Sequence, residues 1–149
     1  KPLVLDCQWF DSAGLVATAT ELFGKQAITV DNRIGQLWGD PLLLQQVLIN
    51  LVKNAVEASE GEPSEISLTL YRQGPQAIIA VRDSGMGLAN PDNLFIPFYT
   101  TKSDGQGIGL GLCRNIVEHH SGRLTLENNS DGPGALARIW LPLPEAEMP

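Results

Sequence analysis

The spacing of apolar residues changes along this chain, and the changes predict a succession of helices and strands. Apolar residues recur three and four positions apart, as in amphipathic helices, over residues 12–23, 41–59 and 108–119. Apolar runs typical of strands cover residues 26–30, 66–71, 77–81, 123–127 and 135–141. The last four strands follow one another as two hairpins. This order predicts an α+β fold, a two-layer sandwich with three helices on one face of a mixed, mostly antiparallel sheet.

Several of these segments begin or end at recognisable residues. Ser12 is placed to cap the first helix, and Asp40 followed by Pro41 is typical of a helix start. Residues 1–10 are predicted to be extended. In the third helix, the residues expected to face the core are Ile108, Leu112, Ile116 and Val117.

Composition and charge narrow the possible functions. The chain has 149 residues, 43% of them hydrophobic, which suits a single domain spanning residues 1–149. Seventeen acidic against ten basic residues give a net charge of −7, which argues against a nucleic-acid surface but not against a bound nucleotide. Cys7 and Cys113 lie in apolar patterns and are predicted to be buried thiols. Because the chain starts at Lys1 without a methionine, we expect it to be a fragment of a longer protein.

Asp83 stands at the end of an apolar strand and is followed by Ser-Gly-Met-Gly. A carboxylate only accepts hydrogen bonds, so it matches the amino group of adenine and not the carbonyl oxygen that guanine has at the same edge. Gly85 and Gly87 would let the backbone approach a base closely. The alternative is an ordinary turn at a strand end, for which Asp-Ser-Gly is suitable.

Four glycines, at positions 105, 107, 109 and 111, precede or open the third helix. Flexible glycines and the N–H groups at a helix start favour binding of a polyphosphate. The run is not a P-loop, because no Gly-Lys-Ser/Thr follows it. A flexible hinge is the alternative.

Asn50 and Asn54 are four residues apart on the second helix and therefore share a face. Amide oxygens are hard ligands that suit Mg²⁺, which also binds nucleotide phosphates. The alternative is a pair of buried amides that bond to the backbone.

Residues 87–106 show little periodicity and predict a long mobile lid loop. An apolar cluster at residues 94–99 would dock when ligand binds, and Lys102 would reach a terminal phosphate. The alternatives are a small satellite core and a solvated charge. His119 and His120 end the third helix, where a cation favours the helix dipole, and we expect them to be structural.

Together these stretches resemble the GHKL superfamily of ATP-binding domains, most closely the catalytic (HATPase_c) domain of bacterial two-component sensor histidine kinases. The segments similar to its N, G1, F and G2 boxes are residues 40–55, 83–87, 95–102 and 105–111. The resemblance runs from about Leu3 to Pro142. It implies a Bergerat-type ATP-binding fold, ATP and Mg²⁺ as ligands, and transfer of the γ-phosphoryl group to a histidine.

The resemblance also implies site residues. Asn54, with help from Asn50, would bind Mg²⁺, and Asp83 would bind adenine; Asn54 and Lys102 would be catalytic. The full nucleotide-binding set would be Asn50, Asn54, Asp83, Gly85, Gly87, Lys102, Gly105, Gly107, Gly109 and Gly111.

The partners implied by the resemblance lie outside this chain. The phosphoacceptor histidine would belong to a dimerisation domain of the same sensor kinase, and a response regulator would receive the phosphoryl group later. The parent protein would be a homodimer with this domain in the cytoplasm. The resemblance is compatible both with a parent anchored in the inner membrane and with one that has no anchor.

Two departures from the family pattern bear on activity. Related ATPases have a glutamate that activates water where this chain has Asn50, and an amide is a poor base, so hydrolysis is expected to be slow. Many relatives have Thr and Phe where this chain has Ala135 and Ala137.

Three functions are alternatives to a histidine kinase domain. They are a GHKL-type ATPase, a serine protein kinase of the anti-sigma type, and a degenerate interaction module that binds no nucleotide.

Overall fold

A computed structural model describes residues 3–24, 28–59, 65–85, 106–130 and 132–145 of the chain. Its helices are α1 (Ser12–Glu21), α2 (Pro41–Ala58) and α3 (Gln106–His119). Its strands are β1 (Gln8–Asp11), β2 (Ile28–Asn32), β3 (Gln36–Gly39), β4 (Ile66–Gln73), β5 (Gln76–Arg82), β6 (Arg123–Asn128) and β7 (Ala135–Pro142). The predicted α+β class is confirmed.

Five of the strands form one sheet in the order β2-β4-β5-β7-β6. The β2–β4 pair is parallel, and the other three pairs are antiparallel, as predicted for a mixed sheet. Strands β1 and β3 form a separate antiparallel pair. Because β5 lies at the centre of the large sheet, the residues that follow it emerge beside β7 and close to the covering helices.

One face of the large sheet and the inner faces of the three helices make the core. Alternate residues of β4 and β7 point into it, because successive strand residues face opposite sides of a sheet. Each fully buried aliphatic side chain contributes about 1.5–3 kcal/mol. Core residues that are at most 2% exposed include Val47, Leu48, Leu51, Val52, Ile66, Leu68, Leu70, Ile116, Ile139 and Leu141.

Local sequence explains how the helices begin. Asp40 caps α2 by accepting hydrogen bonds from the backbone N–H groups of Leu42 and Leu43, and Pro41 occupies the first turn. At α1 the predicted cap was wrong by one residue: Asp11 is the cap, and Ser12 is buried with its hydroxyl donating to the carbonyl oxygen of Ile34.

No helix in the described ranges has the length and apolarity needed to cross a membrane.

Three expectations about individual segments need correction. The apolar spacing did not predict the strand pair of β1 and β3, in which Trp9 and Trp38 lie opposite each other. Leu112 is 42% exposed instead of inward, because the buried stripe of α3 runs through Leu110, Cys113, Ile116 and Val117. Cys7 is only half-buried, whereas Cys113 is buried.

Candidate functional site

The polar face of α2 carries Asn50 and Asn54, one helical turn apart. Asn54 Oδ1 is buried and has no hydrogen-bond partner in the described part of the chain. The other two side-chain atoms in this situation are the indole nitrogens of Trp9 and Trp140, which are donors and cannot bind a cation. An unpartnered buried oxygen costs about 1–3 kcal/mol. Asn54 therefore offers an oxygen suited to a hard cation such as Mg²⁺.

The side chain of Asn50 is held by a hydrogen bond to α3. Its Nδ2 donates to the Sγ of Cys113 at 3.6 Å. Burial raises the pKa of the Cys113 thiol to about 11, against the opposing effect of the Asn50 hydrogen bond, so this sulfur stays protonated at neutral pH. Because Nδ2 bonds to the sulfur, Oδ1 of Asn50, on the opposite branch of the planar amide, is not used in this contact.

The carboxylate of Asp83 is buried, with 5% of the residue exposed. Its Oδ1 accepts hydrogen bonds from the backbone N–H of Gly85 at 2.9 Å and of Ala135 at 3.3 Å. These two donors fix the rotation of the carboxylate. A buried acceptor with a fixed orientation can discriminate between hydrogen-bond donors and acceptors on a ligand.

Close contacts bring the three sequence motifs together around α2. A Cβ on Gly85 would lie 2.3 Å from the carbonyl oxygen of Ala58, so only glycine lets the Asp83 turn pack against the end of α2. A Cβ built on Gly109 would lie 3.8 Å from the amide of Asn50. The Asp83 turn, the amides of Asn50 and Asn54 and the glycine-containing start of α3 are therefore neighbours.

The start of α3 differs from the sequence expectation. The helix begins at Gln106, two residues earlier than predicted, so Gly107, Gly109 and Gly111 lie in its first turns. Each glycine inside a helix costs up to about 1 kcal/mol relative to alanine. Three glycines in the first turns of one helix are consistent with a backbone that must stay accessible to a ligand. Outside the described residues lie Gly87, Lys102, Gly105 and all but the last residue of the predicted lid at 87–106.

His120 is buried and bonds to the backbone at the start of α2 and within α3, as expected of a residue with a structural role. Its Nε2 accepts from the backbone N–H of Asp40 at 3.0 Å, and its Nδ1 lies 2.8 Å from the carbonyl oxygen of Ile116. Because a backbone N–H can only donate and a carbonyl can only accept, these two contacts suit the tautomer that carries its hydrogen on Nδ1. His120 is buried, whereas His119 is exposed and contacts the carbonyl oxygen of Asn115.

Sequence reasoning missed two groups of supporting residues. Cys113 was expected to be a buried thiol, but not to bond to Asn50. The connection between β6 and β7, through Asn129 and Gly134, contacts the backbone of Asp83. No spacing rule points to Asn129, since an asparagine near a turn is common; the Gly-Pro-Gly at 132–134 was the available signal.

Comparisons with known proteins agree with this geometry. Residues 39–145 match the family described as histidine kinase-, DNA gyrase B-, and HSP90-like ATPase. The sensor histidine kinase ZraS of Escherichia coli (strain K12) is 35% identical over 153 residues, covering 96% of this chain and 32% of ZraS. This chain therefore spans about a third of the length of that relative.

Solved structures give the same result. The catalytic domain of histidine kinase ThkA is 29% identical with a TM-score of 0.81, covering 92% of this chain and 95% of that chain. ThkA in complex with the response regulator protein TrrA is 28% identical with a TM-score of 0.79, covering 99% of this chain and 45% of that chain. The chain belongs to the histidine kinase-, DNA gyrase B- and HSP90-like ATPase family and is homologous to the catalytic domains of sensor histidine kinases.

Proposed function

We propose that this chain binds Mg-ATP and transfers the γ-phosphoryl group to a histidine on a separate dimerisation domain of the same sensor kinase. The observation that carries the proposal is the buried Asn54 Oδ1, which has no partner in the described residues and lies on the helix that contacts both the Asp83 turn and the start of α3. A magnesium ion would use this otherwise costly oxygen.

Adenine recognition is assigned to Asp83. Its buried carboxylate would accept a hydrogen bond from the exocyclic amine of adenine, with Gly85 and Gly87 beside the base. Guanine would bring a carbonyl oxygen against the carboxylate and leave both acceptors without a donor. The expected consequence is a preference for ATP over GTP.

The metal and phosphates are assigned to the other motifs. Asn54, with Asn50 beside it, would hold Mg²⁺, which neutralises phosphate charge when bound. The backbone N–H groups around Gly105, Gly107, Gly109 and Gly111 would contact the phosphates, helped by the positive end of the α3 dipole. Lys102 would contact the terminal phosphate and act with Asn54 in transfer.

Transfer to a protein is favoured over hydrolysis because the site lacks a base at Asn50. An amide does not take a proton from water at neutral pH. Phosphoryl transfer depends mainly on positioning and charge neutralisation, so an imidazole supplied by another domain needs little further activation here.

The partners follow from the same proposal. Residues 1–149 would form one catalytic domain with a lid at about 87–106, located on the cytoplasmic side of a homodimeric parent. A response regulator would receive the phosphoryl group from the dimerisation domain. The solved ThkA complex with TrrA supports this partner class.

A labelling experiment tests the proposal. The chain is incubated with Mg²⁺ and γ-labelled ATP, alone and together with the dimerisation domain of its parent protein. We expect acid-labile, alkali-stable label on that domain and almost none on the chain itself. Label on His119 or His120, phosphoserine on the partner, or fast hydrolysis without transfer would each contradict it.

A further inference from the structure

The side-chain amide of Asn129 joins the turn at Asp83 to the connection between β6 and β7. Asn129 Nδ2 donates to the carbonyl oxygen of Asp83 at 2.8 Å and to that of Pro133 at 2.9 Å. The backbone N–H of Asn129 also donates to the carbonyl oxygen of Gly134 at 2.9 Å. Both amide hydrogens of Asn129 are therefore used to hold two separate pieces of backbone at a fixed separation.

Gly134 completes this arrangement from the other side. A Cβ at Gly134 would lie 2.0 Å from the carbonyl oxygen of Asp83, and its φ of 106° is also unfavourable for other residues. The backbone of Gly134 therefore packs directly against the backbone of Asp83, with no room for a side chain between them. We call Asn129, Pro133 and Gly134 the Asn129 clamp.

The clamp extends to the Asp83 carboxylate. The Asp83 N–H donates to the carbonyl oxygen of Ala135 at 3.0 Å, and the Ala135 N–H donates to Asp83 Oδ1 at 3.3 Å. Ala135 directly follows Gly134, so its N–H direction depends on the clamp. The carboxylate orientation is therefore set in part by a residue that lies 46 positions away in sequence.

We propose that Asn129 is a positioning residue for base specificity: it fixes the Asp83 carboxylate in the orientation that selects an exocyclic amine on a purine. The inference rests on the proposed function, in which Asp83 recognises adenine. Asn129 itself would not touch the base. Its removal should affect discrimination at the six position of the purine more than binding of the phosphates.

The test compares ATP with purine ribonucleoside triphosphate, which lacks only the exocyclic amine, by calorimetry in Mg²⁺ buffer. We expect Asn129→Ala to weaken ATP binding about tenfold and to change binding of the purine analogue by less than about twofold. Asn115→Ala, an exposed asparagine substitution on α3, is the matched control and should leave both affinities unchanged. Thermal unfolding is recorded for every variant.

The readouts separate a specific role from a general structural one. Equal weakening of both nucleotides, or no weakening of either, would overturn the role of Asn129. Asp83→Asn separates the two proposals: if it keeps full preference for ATP, the assignment of adenine to Asp83 fails and the inference fails with it. If Asp83→Asn loses the preference and Asn129→Ala keeps it, only the inference fails.

A second measurement does not require nucleotide. In ¹⁵N-labelled protein, Asn129→Ala should shift the amide resonances of Gly85 and Ala135, which bond to Asp83 Oδ1, and leave that of Leu44 unchanged. Unmoved Gly85 and Ala135 signals would contradict the clamp. If Asn129→Ala does not fold, Asn129→Ser, which retains a hydroxyl donor, is measured in its place against the same criteria.

Discussion

The two ends of helix α2 carry polar residues in opposite states. At the N-terminal end, Asp40 accepts hydrogen bonds from the N–H groups of Asp6, Leu42 and Leu43, and its own N–H donates to His120. In the C-terminal half, Asn54 Oδ1 is buried without a partner in the described residues. We call Asp40 with its partners the cap end, and Asn50 with Asn54 the amide face.

This difference distinguishes polar residues that stabilise the fold from polar residues that are available to a ligand. At the cap end every strong partner comes from this chain, so the polar groups stabilise the fold and need no ligand. At the amide face none of the described residues pairs with the Asn54 oxygen, and a bound cation would remove the free-energy cost of leaving it unpaired. Mutations at the cap end should therefore change stability alone, and mutations at the amide face should change Mg-ATP binding alone.

The largest effect is expected for Asn54→Ala. Loss of the oxygen proposed to bind Mg²⁺ should weaken Mg-ATP binding by on the order of 100-fold. The free energy of unfolding without nucleotide should not fall, because the substitution removes a buried acceptor that no residue in the described ranges pairs with. Calorimetry and urea unfolding measure the two quantities, with exposed Lys53→Ala as the neighbouring control. Unchanged Mg-ATP affinity in Asn54→Ala would refute the role of the amide face.

Asp40→Ala should have the opposite effect. It removes the cap of α2 and the bond to Asp6, and should lower the free energy of unfolding by about 2 kcal/mol. The affinity for Mg-ATP should stay within about twofold, as measured on folded protein. Asp11→Ala, which removes the exposed cap of α1, should cost less because Asp11 accepts one cap bond, from Ala13. An affinity loss like that of Asn54→Ala would contradict the comparison.

Gly109→Ala should change stability and Mg-ATP affinity in opposite directions. Alanine should stabilise α3 by about 0.5–1 kcal/mol, since its Cβ would only reach van der Waals distance from Asn50. The same methyl group would occupy space beside the amide face and reduce Mg-ATP affinity several-fold. Gly14→Ala in α1, where a Cβ contacts nothing within 4 Å, should stabilise equally and leave binding unchanged. Equal affinities in the two variants would argue against a ligand beside Asn50.

The smallest effect concerns the protonation of Asp40. Burial works to raise the pKa of this carboxyl, but the N–H groups of Asp6, Leu43 and Leu42 together hold the pKa below its usual range. Its stabilisation is therefore present above the unfolded-state pKa of about 3.9 and is lost as the pH falls through the lower folded-state pKa. Asp40→Asn should remove this part of the acid dependence. The check is urea unfolding of both proteins between pH 6 and pH 3, where identical slopes would contradict the assignment.

The sequence predicted long elements better than short ones. The Asp40-Pro41 start and seven apolar positions gave α2 within one residue of its observed end at Ala58. Strands β1 and β3 have four residues each, and no local pattern of that length distinguishes a strand from an extended loop. Leu112 was misplaced because the predicted stripe ran through Ile108 and Leu112 to Ile116 and Val117, whereas tertiary packing buries Leu110 and Cys113 ahead of Ile116.

The candidate site was predictable where local chemistry determined it. Asp83 after a strand, and two amides one turn apart, are readable from spacing, and their closeness in space followed from the family resemblance. The supporting bonds from Cys113 and Asn129 are not readable in this way, because they join residues 63 and 46 positions apart. Such contacts depend on how strands and helices pack.

The central claim is that Asp83 and the amide face form one Mg-ATP site. Titration calorimetry of Mg-ATP into the wild-type chain and into Asp83→Asn tests it most directly. We expect saturable one-to-one binding to the wild type, weaker binding of Mg-GTP, and loss of the ATP preference in Asp83→Asn. No heat of binding with the wild type, or an unaltered preference in the variant, would contradict the account and favour an interaction module that binds no nucleotide.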